Sequence, residues 1–588
     1  MLKKLYRLLL ENDFILITLL FFGTLSWSLT MIKSGWFIGP LSDHGLNGIG
    51  FWGANGHDGI WHIALANSLA RGSLEMPTFA GETLKNYHLG FDLLLAGLHK
   101  ATNISVSSLY FQVLPVIFAF LIGVLTYIFV KAWKNSKAAA LWSVFFVYFA
   151  GSFGWLVTLF RDKQLGGESL FWSQQSVSTL INPPFALSLI VMLLGLIILV
   201  KNKQKLSVVN FISLVVIFGV LIQIKAYAGL LCLGGLLIIG IWQFIRQKRM
   251  DYLFVFSGSL IISILLFVPL NSNSGNLIVF APFWFLETMM GLSDRIGWNR
   301  YYEAMLAYKS GNMYPKFLLS YSVAFIVFIV GNFGTRLLAK FWKLKQGLQS
   351  LKNNDYIALF LVAIIIAGIA APTFFLQQGT PWNTIQFLYY SLFFTSILGG
   401  VGVSDLLKDK SKNVKVLLSV IIIIFTIPTT IVTLKNDYLP SRPPAKISNP
   451  ELEALKFLNN QEQGVVLTYL YDAAKAKEAI SNPPRPLYNY ESTAYVSAFA
   501  NKPVYLEDEV NLNIMGFDWR QRRLKVEDFF KNTDKDLAKQ FIKDNNVKYL
   551  YLVKSLSPNP GEMLRFSLQE AGIKKVFENS EAAVFEVQ

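Results

Sequence analysis

Residues 206–245, LSVVNFISLVVIFGVLIQIKAYAGLLCLGGLLIIGIWQFI, carry a single charged side chain, Lys225, in forty positions. One bilayer crossing takes about 20 apolar residues, so a run of this length reads as two spanning helices joined by a tight turn at the lysine. The stretch makes the chain a polytopic membrane protein, mainly α. Composition agrees: of 588 residues, 53% are hydrophobic and 15% aromatic, and the mean hydropathy is +0.44. The lone cysteine, Cys232, lies within this same run, which rules out an intrachain disulfide and argues against a thiol nucleophile.

Outward from this stretch, apolar runs recur. The first, Phe14 to Ile32, follows Lys3, Lys4 and Arg7 and so imitates a signal peptide, but no small-residue cleavage motif follows it, and it reads as a retained helix. Ten more candidates lie near 109–130, 138–160, 185–200, 206–223, 226–245, 252–270, 317–335, 356–376, 385–404 and 414–434. With about eleven spans and the N-terminus inside, the even-numbered connections are short and basic. They hold Lys131, Lys134 and Lys137; Lys201, Lys203 and Lys205; Arg246, Lys248 and Arg249; Arg336, Lys340, Lys343, Lys345 and Lys352; and Lys408, Lys410, Lys412 and Lys415. Basic short loops stay cytoplasmic. The odd connections are longer and hold Asp43, Asp58, Glu75, Glu82, Asp92, Asp162, Glu168, Glu287, Asp294 and Glu303, which points them outward.

The net charge of +16 belongs to this membrane part. From Lys435 onward there are 21 basic and 21 acidic residues, leaving 32 basic against 16 acidic before it. A nucleic-acid partner therefore loses its main support. The domains expected are a membrane domain over 1–434, with a first outer loop at 34–108, and a soluble extracytoplasmic α/β domain over 435–588. In the latter, Asn449 caps a helix opened by Pro450, and GVVLTYL, KPVYLE, VKYLYLV, KKVFEN and AAVFEV read as strands. There is no internal repeat, low-complexity tract, P-loop, GxGxxG fingerprint, zinc knuckle or nucleophile elbow. With the inward loops this short, ATP-driven transport within the chain is improbable.

The first outer loop concentrates chemistry. Between Gly53 and Asp92 it holds His57, Asp58, His62, Glu75, Glu82, Lys85, Tyr87, His88 and Asp92, in a chain with five histidines. Asp58 opens GIWHIALANSLARG, an amphipathic pattern suited to a helix along the membrane surface. As a helix N-cap it would be structural; beside a cleft at bilayer level it can also take a proton from an acceptor hydroxyl. His62, four residues on, shares its helical face, which permits a divalent metal pair without specifying one, or a hydrogen-bonding, substrate-orienting role. Lys85, Tyr87 and His88 stand at the entrance of a second helix, LGFDLLLAGLHKA, where free amide groups favour an anion; the alternative is an interfacial aromatic belt. Asp92 is a candidate structural partner of Lys100 or His99.

Three further outer regions add binding chemistry. Lys225 and Tyr227 suit a lipid phosphate if the turn faces outward, or the lysine simply snorkels. The loop QQGTPWNTIQF, residues 377–387, places Gln378, Trp382 and Asn383 where amides and an aromatic face suit a sugar ring, or where a tryptophan belt would lie. Trp172, Gln174 and Gln175, and Trp298, Arg300 and Tyr301, add similar material.

This plan resembles the GT-C superfamily of integral-membrane glycosyltransferases, including its protein mannosyltransferase-like members. The likeness rests on an Asp soon after the first span (GHDGIWH), juxtamembrane helices in that loop, the YHLGFD element, many spans and an outward C-terminal α/β domain. It implies a polyprenyl-phosphate-sugar donor, a glycan, lipid or protein acceptor, Asp58 as catalytic base and, through Lys225, a hold on the donor phosphate. No nucleotide cofactor is implied. The chain departs from the acidic pair of many members, since His57 precedes a single Asp58. The rival classes are a lipid-linked oligosaccharide polymerase or ligase, which would rely on outer-loop arginines such as Arg71, Arg161, Arg295 and Arg300, and a non-enzymatic transporter, which would carry mid-membrane charges and two related halves.

Overall fold

The structure, a computed structural model, describes residues 14–38, 47–202, 206–271, 278–341, 355–556 and 571–588. Lys3, Lys4, Arg7, Asp43, Lys203, Lys205, Lys343, Lys345 and Lys352 lie outside the described residues. The chain divides into two compact units, one of Met1–Thr30 with Pro115–Leu439 and one of Met31–Leu114 with Pro440–Gln588. This cut differs from the expected one: the first outer loop groups with the tail.

The first unit is helical. Every expected apolar run appears as helix, but among the described residues eight helices are long and apolar enough to cross a membrane, or nine if one bent pair is a single span. The two shorter apolar helices, Phe14–Ser28 and Val208–Ile224, account for the rest of the expected eleven. The run at 138–160 is not one straight helix. Lys137–Phe149 and Gly154–Asp162 meet at a 45° bend, and the cause is local. Ala150 leaves the helical region, and a side chain on Gly151 would come within 2.4 Å of Thr429.

Arg336 corrects a second expectation. Counted as an inward-loop charge, it is instead 1% exposed. Its guanidinium donates to the Ala150 carbonyl at 2.7 Å and to that of Gly151 at 3.3 Å, the backbone acceptors released by the bend. It also binds Gln175 Oε1 at 2.8 Å, Ser176 Oγ at 3.0 Å and Ser396 Oγ at 2.8 Å. An arginine among neutral acceptors thus pins a broken helix to the 175–176 turn and to the Pro381–Leu407 helix.

The second unit is α/β. Trp36–Ile38 and Gly48–Phe51 pair antiparallel, and Gly48–Phe51 pairs with Ala445–Ser448 in the register Gly48 to Ser448 and Phe51 to Ala445. Arg485–Pro486 completes that sheet. A second sheet has the order Val465–Thr468, Val547–Val553, Ala582–Val587, Ile573–Glu578; its first pair is parallel and the others antiparallel. Four of the five expected tail strands are present. KPVYLE is extended but bridges only at Val504, because its edges are shared: Tyr505 N donates to Val466 O at 2.8 Å, while Val504 N and Glu507 N donate to Pro77 O and Thr78 O at 2.8 and 3.0 Å. The helix cap is Ser448, one residue before Asn449, with Ser448 Oγ accepting from Glu451 N at 3.2 Å.

The Asp58–Ala70 helix is also not the surface amphipath expected. Ten of its residues are buried, because it is covered by the Gly90–Thr102 and Tyr495–Ala500 helices. The Gly90–Thr102 helix is the amphipathic one: Phe91, Asp92 and Leu95 face inward, while Leu93 and Leu94 are 53% and 36% exposed.

Helix packing in the first unit depends on close backbone approach. A Cβ on Gly400 would lie 2.2 Å from the Ser143 amide, whereas one on Gly234 meets nothing within 4 Å. Gly400→Ala is expected to lower stability by about 1–3 kcal/mol through overpacking, seen as a lower thermal midpoint of the full-length protein in detergent, with Gly234→Ala unchanged or slightly more stable.

Candidate active site

The site is built within the second unit. Asp58 is the first residue of its helix, and the cap position is occupied by His57, so the expected capping role does not apply. A carboxylate in the first turn still gains from the helix dipole. Gly59 lets the helix lie against the Phe111 ring, which a Cβ there would approach to 2.6 Å. Asp58 keeps 55% of its side chain exposed, and its Oδ1 lies 2.9 Å from His57 Nδ1.

His57 is 8% exposed and has a carboxylate at each ring nitrogen, for Nε2 faces Asp508 Oδ1 at 3.5 Å. Burial alone would lower its pKa. The Asp508 and Asp58 carboxylates outweigh burial and hold the imidazole well above its ordinary 6.5. The two carboxylates thus favour the protonated ring, which is hydrogen-bonded to Asp58 through Nδ1, while Nε2 faces Asp508 without a hydrogen bond. Asp508 is fully enclosed and sits in the left-handed region at φ 53°, which turns its carboxylate onto Asn511: Oδ1 accepts from the Asn511 amide at 3.1 Å and Oδ2 from Nδ2 at 2.8 Å. Next to it, burial pushes Glu507 up to about 8, against the two amides, Val496 N at 2.7 Å and Ser497 N at 3.0 Å, that anchor it.

The other first-loop residues are linked among themselves, and Tyr87 and Tyr110 lie near enough to Asp58 for its charge to act on their hydroxyls. His62 Nδ1 bonds Asp92 Oδ1 at 2.7 Å, with the pair 8% and 0% exposed, and the imidazole stacks on Tyr110 at 5.5 Å. The partner expected for Asp92, Lys100 or His99, is replaced by His62. The pair buckles the two loop helices together, and Asp92 Oδ2 is left without a partner. Trp61 Nε1 donates to the Tyr87 hydroxyl at 2.9 Å, Tyr87 stacks on His88 at 4.8 Å, and Lys85 Nζ lies 4.3 Å from the Phe517 ring centre.

Of the predicted site residues, the structure thus brings His57 to Asp58, and Tyr87 to His88. Among the described residues no three His, Cys, Asp or Glu side chains form a group able to hold a metal. Asp508 was not foreseen. Its signal was the acidic triplet Glu507-Asp508-Glu509 closing an apolar extended run.

In the first unit, Lys225 is the one extended residue between Val208–Ile224 and Ala226–Gln247, as the turn reading requires, but it is 6% exposed and does not snorkel. Its Nζ lies 5.5 Å from the Tyr227 ring centre, and the Tyr227 hydroxyl donates to Gln377 Oε1 at 3.1 Å. Gln378 and Trp382 are exposed, and Asn383 Oδ1 accepts from Gln386 at 3.3 Å. These residues share one region of the helical unit.

No family model and no curated protein matches the chain. Solved structures similar in chain trace include the oligosaccharyltransferase of Archaeoglobus fulgidus in its apo form, at 11% identity and TM-score 0.49, covering 98% of this chain and 75% of that one. ArnT from Cupriavidus metallidurans bound to undecaprenyl phosphate is similar at 11% identity and TM-score 0.40, covering 97% and 98%. The arabinofuranosyltransferase AftD from Mycobacteria is similar at 12% identity and TM-score 0.43, covering 92% and 40%. These neighbours are GT-C glycosyltransferases.

The raised His57 pKa fixes a pH dependence. A group protonated more tightly in the folded state stabilises fully below pH 6.5 and loses that contribution as pH rises through its higher folded value. The thermal midpoint of wild type should therefore fall on the alkaline side of neutrality. His57→Gln should flatten that fall and cost about 1.5–3 kcal/mol at pH 6; a pH series of melting curves checks both.

Proposed function

We propose that the protein is a GT-C-type membrane glycosyltransferase that moves a sugar from a polyprenyl-phosphate donor to an acceptor hydroxyl on the outer face, with Asp58 as general base. The observation that carries this reading is the half-exposed Asp58 carboxylate, bonded to a buried imidazole whose other nitrogen faces a buried carboxylate. The arrangement supplies one acceptor oxygen group at the surface and fixes its direction from behind.

The chemistry follows from that geometry. The acceptor oxygen attacks the anomeric carbon and its proton passes to Asp58. The bond from that carbon to the phosphate oxygen breaks, and the phosphate leaves with the electron pair. The His57 ring bonded to Asp58 fixes the direction of the carboxylate, so its contribution lies in orientation. His57 and Asp508 are positioning residues. Lys225, with Tyr227, is assigned to the donor phosphate. A buried cation at a break between two apolar helices gains from an anionic headgroup. Gln378, Trp382 and Asn383 are assigned to the sugar, on the pairing of exposed amides with an aromatic face.

Of the four arginines that a polymerase or ligase would use, two are engaged in structural contacts, whereas Arg295 Nε is buried without a partner and Arg300 is exposed. Arg71 donates to Asn501 O at 2.9 Å, and Arg161 to Asp162 at 2.8 Å and Arg295 O at 2.6 Å.

In proteoliposomes supplied with a panel of radiolabelled polyprenyl-phosphate hexoses, Asp58→Asn should reduce transfer by about 10²–10⁴-fold while leaving the melting curve in place. Asp508→Asn should cost less and shift the alkaline limb of the pH–rate profile. Transfer at the wild-type rate by Asp58→Asn would remove it as the base.

A further inference from the structure

Behind Asp508, the second unit has a cleft that is open to solvent. Its floor is the end of the parallel pair: Thr468 and the residues after it close one strand, and Val553 closes its neighbour. In α/β sheets, ligands bind beyond the carboxyl ends of parallel strands. Tyr469, Tyr471, Tyr488 and Tyr495 line it. So does Thr493, a residue 4% exposed whose hydroxyl has no hydrogen-bond partner. A buried unpaired hydroxyl is destabilising unless something completes it.

The lining contains four carboxylates, Glu491, Glu507, Asp508 and Glu509, and no Lys, Arg or His. An anionic ligand is therefore disfavoured, which sets this cleft apart from any site for a lipid phosphate. Three of the carboxylates are already answered: Asp508 by His57, Glu507 by the Val496 and Ser497 amides, and Glu509 by Arg523. Glu491 has no hydrogen bond or ion pair among the described residues and is exposed at the cleft. Aromatic faces suit the C–H face of a sugar ring, an unpaired hydroxyl suits its edge, and a carboxylate that feels His57 and Arg485 but is bonded to neither leaves its oxygens open to an ammonium group.

We propose that this cleft is a saccharide subsite selective for a sugar bearing a protonated amine, and that it holds the acceptor of the transfer reaction. Its acceptor role rests on the glycosyltransferase reading above; its amine selectivity does not. Asp508 belongs both to the cleft wall and to the group that holds Asp58 through His57, so an occupant would lie beside the base.

The test uses the full-length protein in detergent with a β-1,4-linked glucosamine disaccharide and its N,N′-diacetyl counterpart, read by saturation-transfer NMR and calorimetry. The amine form should receive saturation on its ring protons and bind at least tenfold more tightly than the acetylated form. Glu491→Gln should weaken the amine form about tenfold and leave the acetylated form unchanged, and Tyr471→Ala should weaken both. Equal affinities for the two sugars, absence of saturation with either, or wild-type amine binding by a folded Glu491→Gln would overturn the proposal; the first two need no variant. Asp58→Asn separates the two readings. Binding retained with transfer lost supports both, whereas binding and transfer both retained leaves the subsite standing and removes only the catalytic assignment.

Discussion

The pairing of Gly48–Phe51 with Ala445–Ser448 is the constraint on which the candidate site depends. These strands are almost four hundred residues apart in sequence, so closing that loop carries a large entropic cost that local contacts do not meet. Several interactions share the offset. The 502–507 segment lies between Val466 and residues 77–80, Arg522 donates to Ala80 O at 2.8 Å, and Asn86 donates to Met515 O at 2.8 Å. Together they make the segment 47–108 part of the α/β unit and bring Asp508 to His57.

With that frame in place, the electrostatics follow from burial. An isolated buried carboxylate such as Asp508 would be costly, and so would a buried imidazolium. Each compensates the other, and Asp58 completes the row at the solvent edge. The second histidine pair, His62 with Asp92, uses the same chemistry for a different end. It is enclosed by Tyr110 and Phe91, and it joins two helices without reaching solvent. One loop thus holds two carboxylate–imidazole pairs, of which only the first presents an oxygen to solvent.

Much of this was legible in the sequence. Apolar run length gave all eleven helical segments, and alternation of β-branched and aromatic residues gave four of the five tail strands, because both signals are local. Asp58 stood out for a local reason too, as an acid opening a helix just after a span. What the sequence left hidden is nonlocal. The expected boundary at 434/435 missed the shared sheet because strands of three or four residues, Trp36–Ile38 and Gly48–Phe51, carry almost no periodicity. Arg336 looked like one more basic loop residue, since nothing nearby in sequence announces the broken helix whose carbonyls it satisfies. The covering of the Asp58–Ala70 helix by Tyr495–Ala500 is likewise invisible to a helical-wheel reading.

The central claim is that His57 is an imidazolium clamped between Asp58 and Asp508, and the ¹⁵N spectrum of its ring in the full-length protein tests it most directly. With histidine labelled and the His57 signals assigned by their loss in His57→Gln, both ring nitrogens should carry protons at pH 7.5. Asp508→Asn should then shift the ring toward the neutral form. A neutral His57 ring in the wild type at that pH would contradict the account.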